Sequence, residues 1–452
     1  MDYQDRLSPF EKGEYPDRGE GLEDKKSATF YNMGTVNVIK QQTEAIFPEI
    51  VAHYRYLHQY PELSYQEENT AQYIVDFLEK EGISYRKNIG GFGILAWVKG
   101  NLKIQKLKDS IDERLLGRVE AKSKTTVGER SRTIAFVADM DAIPVQEEND
   151  IPYKSLNDGV MHACGHDAQM ASLMGAAKII NKLRNEFSGT ALFVFQPGEE
   201  KSPGGADLML KDGIFRDFTP DFVIKQHAYI DLPAGKIGFQ SGVITASADE
   251  VHIVVKGKGG HGALPHTIND TVLAASNIVV AMQQLVSRVR NPFNPMVLSF
   301  GKMIADGATN IIPNEVVLAG SMRCMDEEER QKMLKFIPVI AHSTAAAYGC
   351  TCDVSLPEGY PSVVCDAQIT ENIRRQAIDF LGKNSVNEFP KRMTADDFGF
   401  FSQQYPACYY RFGIAEHNKK TGDLHTGTFL IDEKSLQIST AFCAFLIIDS
   451  VK

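Results

Sequence analysis

Three short apolar runs, each ending abruptly in metal-competent residues, constrain this chain more than any other feature. Residues 133–138 (TIAFVA) lead into Asp139-Met140-Asp141. Residues 190–195 (TALFVF) lead into Gln196-Pro197-Gly198-Glu199-Glu200, and residues 222–224 (FVI) lead by way of Lys225-Gln226 into His227. Bounded runs of this kind fit strands buried on both faces. Residues 93–98 (GILAWV) form another, and a helical stretch over 168–183 separates TIAFVA from TALFVF. The alternation predicts an α/β fold with a mostly parallel sheet. Ligands of open α/β sheets sit at the carboxyl ends of the strands. Side chains scattered along the chain are therefore expected to meet there.

The rhythm changes at about residue 247. A strand over 250–256 (EVHIVVK) precedes a helix over 270–289 and strands over 296–302 and 315–323. Asp326, with Glu327 to Glu329 in the first turn where the helix dipole favours acids, opens a long helix, and a last strand covers 351–356. The order βαββαβ is that of a ferredoxin-like unit. The chain thus divides into an N-terminal tail (1–37), an α/β domain (38–246 and 358–452) and an inserted ferredoxin-like unit (247–357). Ser64-Tyr65-Gln66-Glu67 reads as a capping box, and the helix after it ends at Gly82. Residues 102–132 carry nine Lys or Arg against five Asp or Glu. They read as a solvated excursion between strands, with a docking patch as the alternative.

Charge and cysteine usage narrow the function classes. Forty-eight Lys and Arg against 58 Asp and Glu give a net charge of −10, which argues against nucleic acid as a partner. No apolar run is expected to approach the roughly 20 residues of a membrane span. The polar N-terminus has no signal-peptide core. Seven scattered cysteines suit a reducing compartment. A cytoplasmic protein is expected.

Several segments carry chemistry. In Met161-His162-Ala163-Cys164-Gly165-His166-Asp167, a thiol and an imidazole two residues apart can share a metal, although a loop with a buried Cys fits equally. Adjacent carboxylates at Glu199-Glu200 repel unless a cation holds them; one can ligate while the other acts as general base. A solvated helix start is the plainer reading of that pair. Residues 257–266 (GKGGHGALPH) form a Gly-rich loop with two His and no phosphate-loop ending. His425 precedes an apolar stretch, and an isolated His is more often structural than functional.

Taken together, these segments resemble the metal-dependent aminoacylase and carboxypeptidase family. The branch is that of N-acyl-amino-acid amidohydrolases, hippurate hydrolases, indoleacetyl-amino-acid hydrolases and acetyldiaminopimelate deacetylases. The resemblance rests on His58-x-x-Pro61-Glu62-Leu63 with Glu67 and Thr70, Asp139 to Pro144, Met161 to Asp167 and Gln196 to Glu200. Gly260-His261-Gly262-Ala263-x-Pro265-His266, Asn310 to Pro313, Asp397-Phe398 and Leu424-His425-Thr426 complete it in family order. The resemblance implies a zinc-peptidase-like catalytic domain with an inserted lid or dimerisation domain. It implies two divalent metal ions (Zn or Mn, with Co or Ni as further candidates) on Cys164, His166, Glu200, His227 and His425. Glu199 would be the general base, and His261 would hold substrate and oxyanion, often across a homodimer contact. Asn310 and Arg323 would grip a substrate carboxylate, and Asp141 would orient a ligand. The chain departs from the family pattern at Val137, where Arg is frequent, at Gln169 (His) and at Asp396 (Glu).

The implied reaction is hydrolysis of the amide of an N-acyl or N-aminoacyl amino acid by metal-activated water. No Gly-x-Ser-x-Gly elbow supplies a serine nucleophile. A dipeptidase or aminopeptidase acting on short peptides at the same metals is the main rival. A non-catalytic binding descendant and a metal-storage or scaffold protein are the others.

Overall fold

The computed structural model describes residues 22–102, 132–416 and 422–451. Its strands are β1 (Ser84–Ile89), β2 (Gly93–Lys99), β3 (Thr133–Asp139), β4 (Thr190–Gln196), β5 (Phe222–Pro233) and β6 (Ile237–Phe239). There follow β7 (Asp249–Lys256), β8 (Met296–Ile304), β9 (Glu315–Cys324), β10 (Thr351–Ser355), β11 (Val386–Glu388) and β12 (Ala407–Ala415), beside some two-residue strands. The helices are α1 (Leu22–Gln59), α2 (Glu68–Lys80), α3 (His166–Lys182), α4 (Gly205–Lys211), α5 (Thr271–Gln284), α6 (Glu327–Ala347), α7 (Ala367–Leu381), α8 (Gly399–Gln404) and α9 (Lys434–Ser450).

One mixed, mostly parallel sheet runs β1-β2-β4-β3-β5-β12-β6-β11. Its centre, β4-β3-β5-β12, is parallel, and β2 and β6 flank it antiparallel. The apolar runs are continuous because both faces are covered. Ile134, Phe136 and Phe193 face residues of α1, α3, α7 and α9. Val137 and Val194 join Met209 of α4 and Phe401 of α8 on the opposite face. The central strands deliver Asp139, Gln196 and His227 to one end of the sheet.

A second, four-stranded antiparallel sheet runs β8-β9-β7-β10. It carries its own core, drawn from α5, α6 and the sheet, with Val251, Ile253 and Val255 alternating inward along β7. This is the strand order that a ferredoxin-like βαββαβ unit requires. Asp326 caps α6 by accepting from the N–H of Glu329 at 2.8 Å. The stretch Thr271–Val289, 19 residues including a π-helical turn after α5, is long and apolar enough to cross a membrane. The expectation that no such run exists missed this one because Ser, Asn and Gln interrupt its apolar residues. Ala274, Ala275, Ile278 and Met282 are its buried members and join the core of the sheet.

Two sequence expectations change. Ser64 does not cap α2, which starts at Glu68 with no side-chain cap from Glu67. The Glu62 carboxylate accepts from the N–H groups of Asn69 (3.2 Å) and Thr70 (2.8 Å) and does the capping. Ser64 and Glu67 are drawn elsewhere: Ser64 Oγ donates to Asp141 at 2.7 Å, and Glu67 accepts from Gly198 N at 2.7 Å. Residues 22–37, expected in an irregular tail, begin helix α1. Residues 1–21 of that tail, and 103–131 of the basic stretch, lie outside the described residues.

Candidate metal centre

Cys164 and His166 flank Gly165, which turns the chain in the left-handed region (φ 88°) at the start of α3. A side chain there would meet Cβ of Ala228 at 2.8 Å, so glycine permits β5 to approach closely. His227 stands on β5, Glu199 and Glu200 follow β4, and His425 lies in a loop whose N–H donates to Ala163 O at 2.9 Å.

The ligand atoms converge in overlapping sets, each within 4.8 Å: Cys164, His166 and His227; Cys164, Glu200 and His425; and His166, Glu199 and Glu200. Cys164 Sγ is 3.6 Å from His227 Nε2, and His425 Nε2 is 3.1 Å from Glu200 Oε1. His166 Nδ1 is 2.8 Å from the carbonyl of Asp141, while its Nε2 is buried without a hydrogen-bond partner. Glu200 Oε1 is buried beside His425 Nε2. Thiol, imidazoles and carboxylate turned together, with one buried imidazole nitrogen orphaned, form a donor set that fits divalent ions. The first two sets share Cys164, and together these residues would hold divalent cations.

The electrostatics suit the same reading. Burial, assisted by the Arg411 guanidinium, pushes His227 well below its usual range, which keeps the imidazole neutral. Burial opposes a charge on His166, but Cys164, Asp139 and Asp141 outweigh it and hold this imidazole well above its ordinary value. Hydrogen bonds to Cys164 and Glu200 raise His425 to about 10. Protons held by such anions are the ones a bound cation displaces. Glu199 is driven well above the carboxylate range by burial and by the charges of Asp396 and Glu200.

The other predicted residues take different places. Asp141 is fully buried behind His166 and Glu200; its Oδ2 accepts from Glu200 N at 2.9 Å. His261 is exposed, pairs with Ile311 across a two-residue bridge, and accepts from Ala263 N at Nδ1 (3.1 Å). Asn310 lies beside it, accepting from Gly262 N at 2.8 Å. Arg323 lies on β9. Among the described residues, no hydrogen bond or ion pair joins His261, Asn310 or Arg323 to the metal-competent cluster.

Sequence reasoning missed one feature. Lys225, fully buried on β5, lies 2.6 Å from Asp139 Oδ2 and 2.8 Å from Asp396 Oδ1. The three departures from the family pattern meet here. Val137 is the β3 partner of Lys225 in register. Asp396 is its anion, and Gln169 donates to Asp139 Oδ2 at 3.3 Å in the amide orientation that satisfies both its ends. The available signal was a lysine inside an apolar strand.

The model of peptidase family M20/M25/M40 matches residues 135–449. The N-acyl-L-amino acid amidohydrolase of Geobacillus stearothermophilus is 36% identical over 331 residues, 73% of this chain and 81% of that protein. Thermostable carboxypeptidase 1 of Saccharolobus solfataricus is 30% identical over 419 residues, 92% of this chain and 98% of the relative. Among solved structures, the Bacillus subtilis YXEP protein, a dinuclear metal binding peptidase of the M20 family, matches with a TM-score of 0.71. It is 27% identical, across 90% of this chain and 99% of its own.

Proposed function

The chain belongs to peptidase family M20/M25/M40 and is a hydrolase of amide bonds, and from that premise we propose that it cleaves N-acyl or N-aminoacyl amino acids at a two-metal centre. One observation carries the reading. Cys164, His166, Glu200, His227 and His425 turn their donor atoms together, with the carboxylate of Glu199 beside them. The relatives named for N-acyl amino acids and for a dinuclear metal site support it.

In this reading the five residues hold two divalent ions, and the Cys164 thiolate favours zinc, with manganese the alternative. Bound ions would supply Lewis acidity, acidifying water and polarising the scissile carbonyl. The chain's own groups do the rest. Glu199, in a dry and anionic setting, is a stronger base than an exposed carboxylate. Its oxygen takes a proton from water as the C–O bond forms, then gives it to the nitrogen as the C–N bond breaks. Ala263 N–H fixes His261 Nδ1 as an acceptor, which leaves the Nε2–H as a donor for the oxyanion. A single such donor contributes about 3–4 kcal/mol. Arg323, whose planar fork matches a carboxylate, and Asn310 would hold the substrate's carboxyl end.

His261 and its neighbours reach a substrate through a homodimer. The edge strand β8 exposes Val297, Met303 and Ile304, an apolar edge open to pairing with a second copy. The carboxypeptidase relative favours a second reading, cleavage of a peptide at its C-terminal residue. A panel of N-acyl amino acids against dipeptides, with zinc, manganese and cobalt in turn, separates the two. Loss of all hydrolysis on chelation and its return with metal is expected. Activity indifferent to a chelator would refute the metal centre.

A further inference from the structure

Lys225 is an ammonium sealed in the protein interior, and such a charge persists only where anions balance it. It projects from the middle of the parallel sheet, flanked in register by Val137 on β3 and Tyr409 on β12. Alternation along the strand puts Lys225 on the same face as His227, and Asp139 on the same face as Val137. Its Nζ contacts Asp139 Oδ2 and Asp396 Oδ1. Tyr409 Oη donates to the other Asp396 oxygen at 3.0 Å, and Phe398 N–H donates to the first at 2.9 Å. Asp139 Oδ2 is in turn 3.6 Å from His166 Nε2, and a carboxylate oxygen of Asp396 lies within 4.8 Å of one of Glu199. One lysine therefore stands behind both a proposed ligand and the proposed base.

We propose that Lys225 is a positioning residue of the hydrolytic site: its ammonium bridges Asp139 and Asp396 and so holds in place the carboxylates that stand against His166 and Glu199. The inference rests on the role given to Glu199 above. Glu199, Asp396 and Asp397 are buried with carboxylate oxygens within 4.8 Å of one another, and Asp139 shares the ammonium with Asp396, so these anions repel one another in a dry cavity. Without the cation they part, and Glu199 loses the neighbour that holds its side chain toward the site. The same cation repels divalent ions bound at His166, so its removal also tightens their hold.

The test compares Lys225→Met with the charge-balanced Lys225→Met/Asp396→Asn, both as the full chain reconstituted with zinc. Lys225→Met is expected to bind two zinc ions, to lower kcat at least 30-fold with KM within threefold, and to lower the zinc Kd about tenfold. The double variant should recover at least a third of the lost kcat on a logarithmic scale, which a packing role would not produce. A wild-type kcat in Lys225→Met, or a double variant no better than the single, overturns the proposal. If Lys225→Met does not fold, the double variant decides: recovered fold and zinc content support the charge balance, and failure to fold overturns it. Should the wild-type chain hydrolyse nothing in the panel, the functional reading falls, and the zinc Kd alone decides on Lys225, an unchanged value counting against it.

Discussion

The main-chain oxygen of Asp141 lies 2.8 Å from Nδ1 of His166, so the imidazole donates there and leaves Nε2 as its proposed ligating atom. The carboxylate of Asp141 meanwhile accepts from Glu200 N and from Ser64 Oγ. One residue thus aims two proposed ligands by different groups. Asp141→Ala keeps the carbonyl and removes the carboxylate. Metal affinity should fall about 10–100-fold, the usual cost of losing an outer partner, read by competition with a chromophoric chelator. Ser64→Ala, which removes a single bond to that carboxylate, should cost less. Affinities in the reverse order would show that Asp141 does not aim the ligands.

Glu199→Gln preserves shape and removes the base. The variant should bind the same two ions and lose at least about 10²–10⁴-fold in kcat, the range general-base catalysis supplies. Metal analysis and turnover on one N-acyl amino acid measure both. Full turnover takes Glu199 out of the chemistry.

Cys164 belongs to two of the three sets of converging donors described above, so its loss should disturb both proposed cations. Cys164→Ser, with a weaker and harder ligand, should reduce the bound zinc below two ions per chain, while Glu200→Gln affects the His425 set first. Mass spectrometry under native conditions gives the stoichiometry. An undiminished zinc count in Cys164→Ser removes the thiol from the ligand set.

The strand ends were legible because strands buried on both faces read as unbroken apolar runs. The polar residues that follow each, among them Asp139, Gln196 and His227, mark the end of the sheet where a site must lie. The ferredoxin-like unit was legible from its alternation and from Asp326. Lys225 was hidden by the same logic, since its charge is balanced by Asp139, at the end of another strand, and by Asp396 far along the chain. Ser64 and Glu67 misled because a local motif competes with distant partners. Asp141 and Gly198 claim their side chains, and Glu62 caps the helix in their place.

His58 is buried between Asp167 and Glu147, with Nδ1 2.7 Å from the first and Nε2 3.2 Å from the second. It ties the end of α1 to the first turn of α3. Burial opposes its charge, but these bonds outweigh burial and raise the imidazole from 6.5 to about 9. A basic group raised on folding contributes stability fully below its unfolded pKa and loses it as pH climbs through the folded one. The contribution should therefore be complete below about pH 6.5 and disappear between there and about pH 9. Thermal midpoints of wild type and His58→Gln, measured across that window, should converge toward the alkaline end. A difference constant with pH would show that His58 stays neutral.

His261 is exposed and, among the described residues, makes no hydrogen bond to the metal-competent cluster, as a residue that serves a partner's site would. His261→Ala should retain both ions and lower kcat about 10²–10³-fold, as the loss of an oxyanion donor does. The cross-subunit placement has a sharper signature. Glu199→Gln and His261→Ala chains are each inactive, but in a mixed two-fold dimer one site receives Glu199 from one chain and His261 from the other. Random pairing makes about half the dimers mixed, with one intact site each, so co-expression should restore about a quarter of wild-type activity. Activity no higher than the two variants measured apart would place His261 within its own subunit's reaction or outside the reaction altogether.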